Sequence, residues 1–143
     1  MKIHTARFGE IEVVEERIFN FVLPIIGFNE LKRFVIVDAN KDSFFKWLQS
    51  VEDPELAFPI VSVFSMNIDY TIDLQDSVVE ALNIENVESV LVMNIASIPQ
   101  DNPQGTTLNL LAPLIFNLES QKAGQVILSG SGYDISFPLF KKN

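Results

Sequence analysis

Apolar and polar side chains alternate with a period of two over most of this chain, which is the signature of strands that bury one face. Ile11-Glu12-Val13 shows the alternation first, and Phe8-Gly9-Glu10 just before it reads as a tight reversal between two short strands. Residues 18–23 continue in β-favouring types until Pro24, and Gly27 marks a turn. Residues 34–38 and 44–50 predict two further strands, separated by the turn-rich Asn40-Lys41-Asp42-Ser43. Residues 57–63 predict another, with Pro59 at an edge or a bulge because it has no N–H to give to a ladder. Strands resume at 89–95, and 98–105 is a loop by composition. The pattern ends with 106–118 interrupted by Pro113, then 125–128 and 133–137, with Ser129-Gly130-Ser131-Gly132 as the hairpin connection.

Only one segment has helical spacing. Leu74, Val78, Ala81 and Leu82 recur on one face, Asp73 is placed to cap the N-terminus, and Asn83 is a stop. Asp76 and Glu80 then fall near the positive end of the helix dipole. Nine or ten short strands with one short helix predict an all-β, mostly antiparallel fold, a small barrel or sandwich forming one domain over residues 1–143. Residues 108–116 are too apolar for a half-exposed strand. They are either central to the core or present apolar side chains outward, the first being the commoner case.

Charge changes the picture. The 143 residues carry 10 Lys and Arg against 19 Asp and Glu, a net charge of −9. A phosphate backbone is held by cationic side chains, so direct nucleic-acid binding and anionic membranes are both disfavoured. Between Lys46 and Lys122 there is no Lys or Arg, while acids recur from Glu52 to Glu119, including Asp69, Asp73, Asp76, Glu80 and Glu85. Such a tract either keeps the protein soluble or steers a basic partner into contact. The start lacks the apolar core of a secretory signal, and no stretch approaches the roughly 20 apolar residues of a membrane span. There is no cysteine, which removes disulfides, thiol nucleophiles and Cys-based zinc sites and fits a reducing cytoplasm.

Candidate chemistry is sparse. His4 is the single histidine and cannot build a multi-histidine metal site. Ser129-Gly130-Ser131-Gly132 is neither a nucleophile elbow nor a phosphate loop. Asp69, Asp73 and Asp76 are loosely spaced like calcium ligands, but the central glycine and terminal glutamate of an EF-hand are missing. Glu15-Glu16 and Glu52-Asp53-Glu55 are paired acids with nothing to distinguish them from a solvated surface. No cofactor, metal or catalytic set is expected, and a binding module is favoured over an enzyme. Phe28 and Trp47 are candidate interface anchors.

Several motifs in order resemble the flagellar assembly factor FliW family. Arg7-Phe8-Gly9-Glu10-Ile11-Glu12-Val13 with Glu15-Glu16 is similar to its opening, and Ile26-Gly27-Phe28 to the end of its Gly-Ile-Pro-Gly-Phe turn. Trp47-Leu48-Gln49-Ser50 and Leu56-Ala57-Phe58 resemble its central strands. Thr107-Leu108-Asn109-Leu110-Leu111-Ala112-Pro113, Asn117, Gln125-Val126-Ile127-Leu128 and Pro138-Leu139 resemble its C-terminal half. The chain departs from the family where Leu23-Pro24-Ile25 precedes that turn, at Val63-Phe64, and at Ser136-Phe137.

The resemblance implies a non-enzymatic regulator in the bacterial cytoplasm. It would bind CsrA, an RNA-binding translational repressor, and relieve its block on flagellin mRNA. It would also bind flagellin, so that free flagellin shuts down its own synthesis. The candidate partner-binding residues are Phe28, Trp47, Asp73, Asp76, Glu80, Asn109, Leu110 and Leu111, the acids for CsrA and the apolar set for an amphipathic flagellin helix. Two other classes stay open: a general chaperone-like binder of amphipathic helices, and a carboxylate-dependent hydrolase, which would need a deep pocket with two facing acids.

Overall fold

The computed structural model describes residues 1–38 and 45–140; the turn expected at Asn40 to Ser43, and Phe44, lie outside the described residues. Its centre is a closed barrel. β3 (Ile18–Leu23), β4 (Arg33–Val37), β5 (Lys46–Ser50), β6 (Ala57–Val61) and β7 (Val90–Ser97) pair in sequence order, each antiparallel to the next. β9 (Leu114–Asn117) pairs with β7, β10 (Lys122–Gln125) pairs with β9, and β10 closes the ring on β3 in parallel. Those seven strands leave no edge within the ring.

Alternation fixes which side chains fill it. Phe19, Phe21, Phe34, Leu48, Ile60, Met93, Leu114, Phe116 and Ala123 point inward and form one buried cluster. Its rings pack edge to face, Phe19 against Phe116 at 4.9 Å and Phe21 against Phe34 at 5.1 Å. Part of the outward face is also covered, as at Ile18, Val35 and Ile115, which helps account for a chain 48% apolar. A separate hairpin, β1 (Lys2–Thr5) and β2 (Gly9–Glu12), lays Ile3 on Ile18 and Val35 of the outer wall. The helix α1 (Asp76–Ala81) lays Val78, with Leu82 just beyond it, on Ile115. Residues 108–116 are therefore core: β9 is buried on both faces, Leu114 and Phe116 inside the barrel and Ile115 beneath the helix.

Beyond the ring, β7 runs on to pair with β8 (Thr107–Leu108), which pairs in turn with β11 (Phe137–Pro138). This extension carries a second cluster, Val61, Val63, Tyr70, Ala96, Leu108, Leu110 and Leu128.

Several expectations need correction. The helix starts at Asp76, and Gln75 holds the cap position without a side-chain bond, so Asp73 is not the cap. With six residues the helix puts Glu80 in its last turn, away from the positive end. Asn83 does end it, with φ of 53°. The strand expected at 125–128 is shifted upstream to β10, and that expected at 133–137 shrinks to β11. Gly130 and Gly132 do turn the chain with positive φ, but the strands on either side pair elsewhere, so the segment is not a hairpin. Pro59 lies inside β6, before its ladder with β7 begins at Ile60, so the strand has one neighbour there.

Candidate protein-binding site

The structure separates the residues the sequence nominates. Phe28 lies on the inner side of the wall, its ring 5.2 Å from Phe58 and packed on the barrel core. Trp47 alternates with Leu48 and faces outward, where the N-terminal hairpin covers it: the Arg7 guanidinium sits 3.9 Å above its ring and Phe8 packs at 6.2 Å. The two aromatics therefore share no surface. Asp73, Asp76 and Glu80 are exposed on and just before α1.

Asn109 is used locally. Its Oδ1 accepts the Ala112 N–H at 2.9 Å and its carbonyl accepts from Asn94 Nδ2 at 2.8 Å. Leu110 is 2% exposed in the second cluster, and its carbonyl accepts the Tyr70 hydroxyl proton at 2.5 Å. Leu111 is half-buried, its carbonyl taking the Leu128 N–H at 2.8 Å.

A groove that no local pattern announced opens beside Leu110. Residues 65–69 form one wall and residues 132–140 the other, enclosing about 900 Å³. Met66, Ile68, Tyr133, Phe137, Leu139 and Phe140 make its lining largely apolar. A short ladder of rings backs it: Tyr133 packs on Tyr70 at 4.8 Å, and Tyr70 on Phe64 at 5.7 Å. Burial pushes the Tyr70 hydroxyl up to about 12, against a hydrogen bond from Asn94 that lowers it. Tyr133 ties the walls to the next segment, its hydroxyl accepting the Thr71 N–H at 2.8 Å and donating to the Thr71 carbonyl at 3.1 Å. The signal for this groove lay in two stretches some sixty residues apart, each of mixed polarity, which meet through the Tyr133–Thr71 hydrogen bonds and packing in the second cluster.

Electrostatically the tract between Lys46 and Lys122 is unbalanced. Among the described residues none of its acids forms an ion pair; the pairs present are Met1–Glu12, Lys2–Glu10, His4–Glu10 and Lys46–Asp38. The carboxylates of Glu52, Asp53 and Glu119 accept hydrogen bonds, whereas among the described residues those of Asp69, Asp73, Asp76 and Glu80 hold none. Among the described residues no three His, Cys, Asp or Glu side chains converge to hold a metal, and no helix is long and apolar enough to cross a membrane.

Comparison with known proteins decides the family. The profile described as "FliW protein" matches residues 2–139. This chain belongs to the FliW family. Curated FliW relatives named "Flagellar assembly factor FliW" match along nearly their full length: that of Clostridium novyi (strain NT) is 42% identical over 99% of both chains. That of Bacillus subtilis (strain 168) is 41% identical, covering 97% of this chain and 96% of the relative. A crystal structure of the flagellar assembly factor FliW superposes with a TM-score of 0.91 at 36% identity, over 99% of each chain. The all-β barrel with one short helix is thus a FliW fold, and residues 2–139 include both walls of the groove up to Leu139.

Proposed function

We propose that this chain is a non-enzymatic regulator of the bacterial cytoplasm that acts by contact alone, binding the repressor CsrA and, separately, flagellin. One observation carries the reading: the Lys- and Arg-free half of the chain holds exposed acids that form no ion pair among the described residues. CsrA needs basic surface to hold RNA, so an acidic protein beside it gains from unlike potentials and adds a negative field that repels phosphate. A close unit-charge pair at surface dielectric is worth on the order of a few kcal/mol before screening, and little beyond a Debye length of about 8 Å. Several acids near the RNA path therefore change affinity, where a single exposed carboxylate does not. Flagellin would bind through apolar surface, and each partner's binding would alter the protein's availability to the other.

The test is a sizing column loaded with the protein and CsrA, the protein and flagellin, and all three. The proposal expects a complex in each binary mixture and loss of the CsrA complex as flagellin is added. A protein that ignores both at micromolar concentration overturns it. The apolar groove also favours a second reading, a general chaperone for amphipathic helices, which would instead bind unrelated unfolded chains with similar affinity.

A further inference from the structure

We propose that the groove between residues 65–69 and residues 132–140 is the docking site for a single amphipathic helix whose apolar stripe is flanked by lysine or arginine; this rests on the protein-binding reading above.

The shape and the lining argue for protein side chains. A volume of about 900 Å³ is that of a full-sized ligand site, and Met66, Ile68, Phe137, Leu139 and Phe140 line it with flexible or aromatic apolar groups that repack around an incoming anchor. The exposed apolar surface continues past it. Phe64, 52% exposed, immediately precedes one wall, and Ile135, 61% exposed, lies within the other. Large apolar side chains left in water at the rim of a groove mark a surface meant to be covered.

Two observations select the occupant. The first is charge. The groove's charged lining residues among those described are Asp69 and Asp134, both carboxylates, and neither is in an ion pair. Among the described residues the Asp134 carboxylate accepts only the Ser136 N–H, its carbonyl taking the Leu110 N–H, and the Asp69 carboxylate holds no hydrogen bond. An incoming segment with acidic flanks meets like charge there, and one with basic flanks meets unpaired opposite charge. The second is the backbone of the walls. β11 presents an edge two residues long, and one of them is Pro138, which has no N–H. Such an edge cannot template an added strand, so the partner enters as a helix with its own backbone already satisfied, reading the groove through anchors at i, i+3, i+4 and i+7.

Fluorescence anisotropy tests this with two labelled helical peptides of about 15 residues, both carrying leucines at that spacing, one with lysine flanks and the other with glutamate in their place. The wild-type protein is expected to bind the lysine peptide roughly tenfold more tightly than its glutamate twin. Asp69→Lys with Asp134→Lys is expected to reverse that order. Should the double variant melt earlier than the wild type, Asp69→Lys alone carries the test, because that side chain holds no internal bond; it should remove most of the preference. Equal affinity for both peptides, or a preference untouched by either variant, overturns the proposal. So does sedimentation showing that the wild type self-associates through this face and releases monomer in the charge variants, since the occupant is then a second copy. If the wild type binds CsrA and flagellin but neither peptide, only the groove assignment falls. If it binds neither protein, the regulator reading falls whatever the peptides do.

Discussion

Asn117 is 1% exposed, and its amide is used from both ends: Nδ2 donates to the Leu82 and Asn83 carbonyls at 2.8 and 3.0 Å, and Oδ1 accepts the Glu119 N–H at 3.0 Å. The carbonyls just past the C-terminus of α1 thus find their donor on the barrel wall rather than in water. Asn117→Ala removes these bonds, leaving the Leu82 carbonyl with the Ser120 hydroxyl alone, and should cost about 1–2 kcal/mol, read as a fall in the urea midpoint at unchanged slope. Tyr70 makes a pH-dependent contribution. Its hydroxyl is raised from 10.0 to about 12 in the folded protein, chiefly by burial. The unfolded chain therefore loses this proton first as pH rises. The contribution is complete below pH 10 and is lost as pH climbs through about 12. Tyr70→Phe should lose about 1 kcal/mol at neutral pH with its bond to the Leu110 carbonyl, while its stability falls less steeply than the wild type's over that alkaline window. Parallel alkaline slopes in the two proteins would contradict this.

At the scale of elements, stability comes from what the barrel covers. α1 has six residues, too few to persist alone, and is held by Val78 and Leu82 against Ile115 together with the Asn117 bonds. Barrel closure depends on β10 lying close to β3: a Cβ added at Gly124 would come within 2.5 Å of the Leu23 Cβ, beside a register shift between Ala123 and Gly124. Gly124→Ala should therefore destabilise by about 1–3 kcal/mol in chemical denaturation, and a variant as stable as the wild type would show that the closing pair has slack. This closure also explains what the sequence could and could not reveal. β3 was legible to the residue, because its alternation and Pro24 are local signals. β10 was not: Lys122-Ala123-Gly124 has weak β propensity, while Val126, Ile127 and Leu128 have strong β character but serve a loop packed on the second cluster. Tertiary pairing outweighed propensity there. The same holds for binding surface. Phe28 and Trp47 look equivalent in a linear reading, but the wall of the barrel puts them on opposite faces, and the groove joins segments that carry no pattern in common.

At the scale of the whole molecule, a net charge of −9 is distributed with most basic residues in the first 46 positions, so the field is set by where the acids remain unpaired. If that field displaces RNA from a basic partner, the effect is electrostatic and must weaken with salt, since screening shortens its reach from about 10 Å at 0.1 M to about 3 Å at 1 M. An apolar contact in the groove would be far less sensitive, which separates the two surfaces in one titration series. The decisive measurement is therefore release of labelled RNA from CsrA by this protein, followed by anisotropy from about 50 mM to about 500 mM salt, with CsrA–RNA affinity measured at each concentration as the reference. The account predicts that the shift in CsrA–RNA affinity caused by the protein shrinks by roughly tenfold or more across that range. A shift of constant size at every salt concentration would contradict it.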